Sequence, residues 1–341
     1  MRQIQKVYTI KDVGPPSYYL GMGYKMNRKG MWSIGCEKYI TSAIDKIERI
    51  HGKITPRPIP LPAKVHLEQD TSELLNSDMH QKFQQIVGML NWIVQLGRFD
   101  IAFATSSLSR FSSSPREGHL KAALQTFGYL KGKLSLQIKM DLQSPIFENW
   151  NIDGRKIDLQ KEMLTQYPDA TEDVHVRLLE PFYPELLMTA FVDADHAHDT
   201  VTRRSISGIL IMLGRTPIHF SSRRQGAIAT LTYGAEFAAM RSATEDIMDL
   251  RYSLRAMGVH VSAPTLLFGD NNGVIQNTTI HDSLLSKKHV AILYHMVQES
   301  VAAGITLPMK ISIQENYADM LTKALVAPVF NYLVTGIFYG A

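Results

Sequence analysis

Apolar positions recur at helical spacing in the first 142 residues. Ile40, Ala43, Ile44 and Ile47 share one face of a helix predicted over Glu37 to Ile50. Phe83, Ile86, Val87, Leu90 and Ile93 form a second stripe, and Leu120 to Leu130 a third. Ahead of them, Tyr18, Tyr19, Leu20, Met22 and Tyr24 read as strand. The turn Asn27-Arg28-Lys29-Gly30 and a return strand over Met31 to Ile34 follow, which predicts a hairpin. Four prolines at 56, 58, 60 and 62 mark an extended connector. Residues 143–185 are acidic, dotted with proline and weakly periodic. They are expected to be a linker or insertion, with Ile146, Phe147, Trp150 and Phe182 as local docking points.

From Leu186 the pattern becomes α/β. Strands are predicted at Leu187–Val192, Ile206–Leu213, Pro217–Phe220, Thr265–Phe268 and Ile305–Ile313. Long helices are predicted at Tyr233–Met257, stopped by Gly258, and at Val290–Ala303, with a short closing helix at Ala318–Leu325.

At 341 residues and 45% hydrophobic content, two globular units are affordable. The single cysteine, Cys36, excludes an internal disulfide; it fits a reducing compartment and reads as a buried thiol. No apolar run is long enough for a bilayer span, and the first residues lack the apolar core of a secretory signal. An intracellular setting without membrane partners is therefore expected. Net charge is +4, unevenly spread. Residues 1–142 balance to +9, residues 143–185 to −5 and residues 186–341 to zero. The basic block suits either a phosphate backbone or a solvated surface.

Four acids stand at element boundaries in the C-terminal half. Asp193 follows the first strand there and Asp270 the fourth. Glu236 lies near the start of the long helix, after a candidate N-cap at Thr232. Asp319 begins the closing helix. Each alone reads as an ordinary turn, cap or helix-dipole residue. Neighbouring parallel strands ending in Asp193 and Asp270 would, however, bring two carboxylates together, and hard oxygen ligands suit Mg²⁺.

The order strand-Asp, helix-Glu, strand-Asp, helix-Asp resembles ribonuclease H. The local wording is more specific. Phe191-Val192-Asp193-Ala194-Asp195-His196-Ala197, Arg203-Arg204-Ser205, Gly234-Ala235-Glu236-Phe237, Gly269-Asp270-Asn271 and Asn316-Tyr317-Ala318-Asp319-Met320-Leu321-Thr322-Lys323 resemble the ribonuclease H domain of Ty1/copia-type retrotransposon polyproteins. Lys11-Asp12-Val13-Gly14, Tyr18-Tyr19-Leu20-Gly21, Gln85 to Trp92, Arg98 to Ala104, Leu108 to Phe111, His119 and Tyr129-Leu130-Lys131-Gly132 resemble the last part of the family's reverse transcriptase region. The resemblance covers nearly the whole chain except residues 143–185.

The resemblance implies a ribonuclease H-like five-stranded mixed sheet flanked by helices over 186–341. An α+β reverse-transcriptase remnant over 1–142 would precede it. It implies that Asp193, Glu236, Asp270 and Asp319 hold two Mg²⁺ ions about 4 Å apart, with Mn²⁺ as an alternative, to hydrolyse the RNA strand of an RNA–DNA hybrid. Arg203, Arg204, Arg223, Arg224 and Asn271 are the expected nucleic-acid contacts, with Lys287-Lys288-His289 as a third basic patch. The rest of the polyprotein, including the N-terminal reverse transcriptase and integrase, would be its partners, in the cytoplasm, the nucleus or a virus-like particle. His295, inside a helix, reads as a packed histidine rather than a proton shuttle.

The sequence also departs from the family. No Asp-Asp pair occurs, so polymerase activity is not expected of this chain. Phe99 replaces a usual proline and His198 a usual glycine. A non-catalytic nucleic-acid-binding remnant is thus the alternative to a working nuclease.

Overall fold

A computed structural model of the protein describes residues 14–145, 152–174, 180–181, 185–280 and 291–340. The N-terminal block opens with β1 (Tyr18–Tyr19), β2 (Met22–Met26) and β3 (Trp32–Gly35), then α1 (Glu37–His51) and α2 (Ser77–Gln95). It continues through α3 (Ala102–Ser109), α4 (Glu117–Gly132) and β4 (Gln137–Lys139). The apolar stripes expected on α1 and α2 are buried. The first strand is not continuous as expected. Leu20 and Gly21 take positive φ values of 50° and 89°, so the chain folds back between β1 and β2. Cys36 is buried, which pushes its thiol up to about 11.

Within residues 143–185, α5 (Ile152–Met163) buries Leu159 and Met163. Glu172 receives Arg251 Nε at 2.6 Å and Arg255 Nη2 at 2.7 Å. The described parts of this segment are therefore docked on the C-terminal half. The proposed docking residues Ile146, Phe147, Trp150 and Phe182 lie outside the described residues, as do Lys287-Lys288-His289.

The C-terminal half contains β5 (Met188–Asp195), β6 (Ile206–Leu213), β7 (Thr216–Arg224), α6 (Thr232–Ala256), β8 (Thr265–Gly269), α7 (Asn272–Thr279), α8 (Ala291–Ala302) and β9 (Thr306–Lys310). Its sheet has the order β7-β6-β5-β8-β9. β5, β6 and β7 form an antiparallel meander, and β8 and β9 run parallel to β5. This is the expected ribonuclease H-like mixed sheet. Alternation along β5 divides two cores. Ala190, Val192 and Ala194 join Phe237, Met240 and Ile247 of α6. Phe191 joins the opposite core, which is continuous with the N-terminal block through Phe99, Phe103 and Leu108.

The chain then returns to where it began. After the 3-10 helix Tyr317–Leu321 come α9 (Ala327–Ile337) and β10 (Phe338–Tyr339). β10 pairs antiparallel with β4 and closes the N-terminal sheet. Phe99, where the family has proline, is fully buried with its ring 5.2 Å from Phe220 and 4.8 Å from Phe338. It thus packs against both halves of the molecule.

Gly208 of β6 allows the 3-10 helix to lie directly on the sheet. A Cβ at this position would sit 2.7 Å from the Ala318 carbonyl oxygen and 2.9 Å from Leu321 Cβ. Gly208→Ala is expected to destabilise the protein by about 1–3 kcal/mol, since backbone must give way. Chemical denaturation measures this, and an unchanged midpoint would contradict it.

Candidate metal centre

β5 carries Asp193 to the edge of its pairing with β8. The parallel register ends at Phe191 and Phe268, while pairing with β6 continues, setting Asp193 opposite Gly208. Asp193 is therefore an interior strand residue, not the turn aspartate expected at a strand end. It continues in strand to Asp195 because β6 supplies ladder partners to the last residue. Asp270 follows β8 directly. Its neighbour Asn271 is N-cap of α7, accepting from Val274 N at 3.2 Å. The Asp-Asn turn is thus a strand-to-helix junction.

Glu236 comes from the start of α6, whose N-cap is Leu231, with Thr232 inside the helix. Only 8% of Glu236 is exposed, so it is an inward-facing residue rather than an outer-face charge. One oxygen from each of Asp193, Glu236 and Asp270 lies within 4.8 Å of the others.

Asp319 adjoins this group through Asp193 and Lys323. The 3-10 helix carrying it is pinned by Asn316, which is fully buried. Asn316 Nδ2 donates to Val192 O at 2.9 Å, and its Oδ1 accepts from Ala318 N at 3.2 Å. Thr322 Oγ1 donates to Asp193 Oδ2. Lys323 Nζ lies 3.4 Å from the same oxygen and 3.0 Å from Asp319 Oδ1. Asn316→Ala would leave the Val192 carbonyl unpaired and remove the cap. A loss of about 1–3 kcal/mol is expected in a denaturant titration; a change under about 0.5 kcal/mol would contradict this role.

Electrostatics reflect the crowding. Burial, then Asp193 and Asp270, push the Glu236 carboxyl up to about 9. Burial, then Asp193, push Asp319 up to about 7 and raise Asp270 as well. Burial opposes the charge on Lys323, yet Asp193 and Asp319 together hold its ammonium above the ordinary lysine range. Asp319 Oδ1 is buried with only the Lys323 ammonium, 3.0 Å away, as a partner, and makes no aligned hydrogen bond among the described residues. A set of hard oxygen donors, mutually repelling and partly unsatisfied, fits a divalent cation of the Mg²⁺ or Mn²⁺ type.

The expected nucleic-acid contacts lie on the β5–β6 turn, at the end of β7 and directly after Asp270. Arg203 is exposed on the β5–β6 turn with φ +57°, and Arg204 follows it, half-buried. Arg223 is exposed at the end of β7 and lines a groove of about 510 Å³ between β7 and α6. Arg224 differs, with Nη1 3.3 Å from Asp199 Oδ2, which Arg110 of the N-terminal block also pairs. Asn271 has its amide oxygen occupied by the α7 cap.

His198, where the family has glycine, sits with Nδ1 2.6 Å from Asp195 Oδ2 and its ring edge-on to Phe103. Glu68 accepts from Thr200 N and Oγ1, both at 2.9 Å, so the N-terminal block grips this turn. His295 is exposed on α8 rather than packed in the interior as expected; its Nδ1 lies 2.5 Å from the Tyr167 hydroxyl, which holds it at the surface. Thr322, Asn316 and Lys323 carry roles that sequence reasoning missed. Thr322 and Lys323 close the Asn316-to-Lys323 motif, and their spacing from Asp319 was the available signal.

No protein-family model matches the chain. It is 25% identical over 333 residues to the retrovirus-related Pol polyprotein from transposon RE1 of Arabidopsis thaliana, covering 97% of this chain. It is 24% identical over 334 residues, 94% of this chain, to the corresponding polyprotein from transposon TNT 1-94 of Nicotiana tabacum. The chain spans 19% and 21% of the length of those two relatives. A putative transposon Ty5-1 protein of Saccharomyces cerevisiae is 24% identical over 73% of this chain and 66% of its own length. Among solved structures, LC11-RNase H1 in complex with an RNA/DNA hybrid aligns with 40% of this chain and 93% of its own, at 15% identity and a TM-score of 0.32. Over nearly its whole length the chain is thus similar to Ty1/copia-type retrotransposon Pol polyproteins, and its C-terminal half carries a ribonuclease H-like mixed sheet.

Proposed function

We propose that the chain is a divalent-metal-dependent ribonuclease H that cuts the RNA strand of RNA–DNA hybrids within a retrotransposon Pol polyprotein. The observation that carries this reading is the convergence of Asp193, Glu236 and Asp270 within 4.8 Å, with Asp319 joined to Asp193. They come from two neighbouring parallel strands, a long helix and a 3-10 helix, so the fold itself assembles them. Asp193 adjoins all three other acids: it converges with Glu236 and Asp270 and is linked through Lys323 to Asp319, and together the four would hold the metal. Bound Mg²⁺ or Mn²⁺ supplies activation of water and stabilisation of the leaving 3′-oxygen.

The chain's own residues have distinct tasks. Glu236, Asp270 and Asp193 gather the oxygen donors. Asn316 and Thr322 fix Asp319 and Asp193 relative to each other. Arg203 and Arg204 on the β5–β6 turn and Arg223 at the end of β7 are suited to phosphate oxygens, while Arg224 braces the turn through Asp199. Recognition of a hybrid rests on groove shape and 2′-hydroxyls rather than base identity. Residues 1–142 are assigned to the C-terminal portion of a reverse transcriptase. The remaining polyprotein, with its polymerase and integrase parts, is the expected partner.

The test is purified protein with a hybrid labelled in its RNA strand. Cleavage with Mg²⁺ and none with EDTA is expected, with the DNA strand intact. Hybrid binding without any Mg²⁺-dependent cleavage would replace this reading by a non-catalytic binding remnant.

A further inference from the structure

The four carboxylates do not form one symmetrical nest. Three of them share a common point, but Asp319 stands outside that group and adjoins it through Asp193. The edge between Asp193 and Asp319 already carries a cation. Lys323 Nζ is 3.0 Å from Asp319 Oδ1 and 3.4 Å from Asp193 Oδ2. Among the described residues it makes no ion pair with Glu236 or Asp270 within the same reach.

Its position is built into the chain. Lys323 lies four residues after Asp319, and its N–H donates to Asp319 O at 3.3 Å. Pro60, Leu61 and Phe103 of the N-terminal block, with Phe330 of α9, border the same small cavity as Lys323. The four-residue spacing thus sets the ammonium beside Asp319, and the N-terminal block closes the cavity that Lys323 borders. A second divalent ion shared by Asp193 and Asp319 would need the oxygens Lys323 occupies. Two cations a few ångströms apart repel, and here the two carboxylates between them are almost fully buried although Lys323 itself is partly exposed.

We infer that Lys323 is the resident counter-charge of the Asp193–Asp319 edge, so that the free protein takes a single divalent ion, at Asp193, Glu236 and Asp270. This rests on the metal-centre reading above. It adds a positioning role for a residue that does not belong to the carboxylate set: Lys323 decides how many ions the protein holds before nucleic acid arrives.

The experiment counts Mn²⁺ bound to the full chain by electron paramagnetic resonance of the free ion, at one fixed pH and without nucleic acid. One ion per chain is expected for the wild type and for Lys323→Arg, and two for Lys323→Met. Two ions in the wild type would overturn the inference, whatever the variants do. A count of one in a folded Lys323→Met, with unchanged affinity, would overturn it as well. Folding of Lys323→Met is checked by its thermal transition. If that variant does not fold, the wild-type count alone decides. No ion in any of the three proteins would instead overturn the metal-centre reading itself, and this inference with it.

Discussion

Asp193→Asn is expected to lower cleavage of the RNA strand by more than about 100-fold, while raising the melting temperature of the metal-free protein at about pH 8. Losing a neighbour of a metal ligand commonly costs 10- to 100-fold, so losing a shared ligand should exceed that range. In the proposed centre Asp193 would be that ligand, because it stands beside every other acid. It raises the carboxyl pKa of Glu236, Asp270 and Asp319 alike. The amide keeps the shape of the carboxylate and can still accept from Thr322, but it carries no charge. Relief of repulsion should therefore stabilise the empty site even as turnover disappears. Opposite signs for activity and stability distinguish a functional acid from a structural one. Wild-type cleavage by this variant, or a lower melting temperature in the absence of metal, would count against the assignment.

Without metal, the protein is expected to lose stability between about pH 5 and pH 9, and saturating Mg²⁺ should restore most of it. In an unfolded chain Glu236 and Asp319 release their protons at the ordinary values of 4.5 and 3.8. In the folded protein they hold them to about 9 and about 7. Between those limits the native state binds protons that the unfolded state has lost. Stability is therefore complete below the unfolded values and drains as pH rises through the folded ones. Each pKa unit corresponds to about 1.4 kcal/mol, and solvent relaxation around a partly open cluster reduces the total to the order of a few kcal/mol. A divalent cation offsets the same repulsion without protons. Calorimetric melting at both pH values, with EDTA and with Mg²⁺, measures the effect. A melting temperature that rises with pH in EDTA would contradict the crowding of these acids.

Much of this arrangement was legible in the sequence, and the limits are physical. Strand β6 matched its expected bounds because its apolar run Ile209–Leu213 is continuous and the whole strand is buried. Helices α1 and α2 were visible because one face of each is buried. Helix α7 was hidden by Asn271-Asn272-Gly273, which reads as a turn. The same Asn271 is equally good as a helix cap, and only tertiary burial of Val274 and Ile275 decides between them. The return of α9 and β10 to the first sheet was not legible. It depends on a two-residue strand meeting β4 across some 200 positions, and no local pattern encodes such a pairing.

At the metal centre, the four acids could be named from their order, but their unequal grouping could not. Asp193 read as a strand terminus because its apolar run stops there, whereas the ladder to β6 continues. Lys323 lay inside a quoted motif without a role. Its meaning emerges only when Asp319 and Asp193, 126 positions apart, are brought to the same ammonium.

The most direct test of the central claim is anomalous diffraction from crystals of the protein equilibrated with Mn²⁺. The account predicts a peak bounded by the carboxylates of Asp193, Glu236 and Asp270, at oxygen-ligand distances of about 2.0–2.6 Å. A crystal that binds Mn²⁺ elsewhere and leaves those three carboxylates bare, or shows any of them turned away from the others, would contradict it.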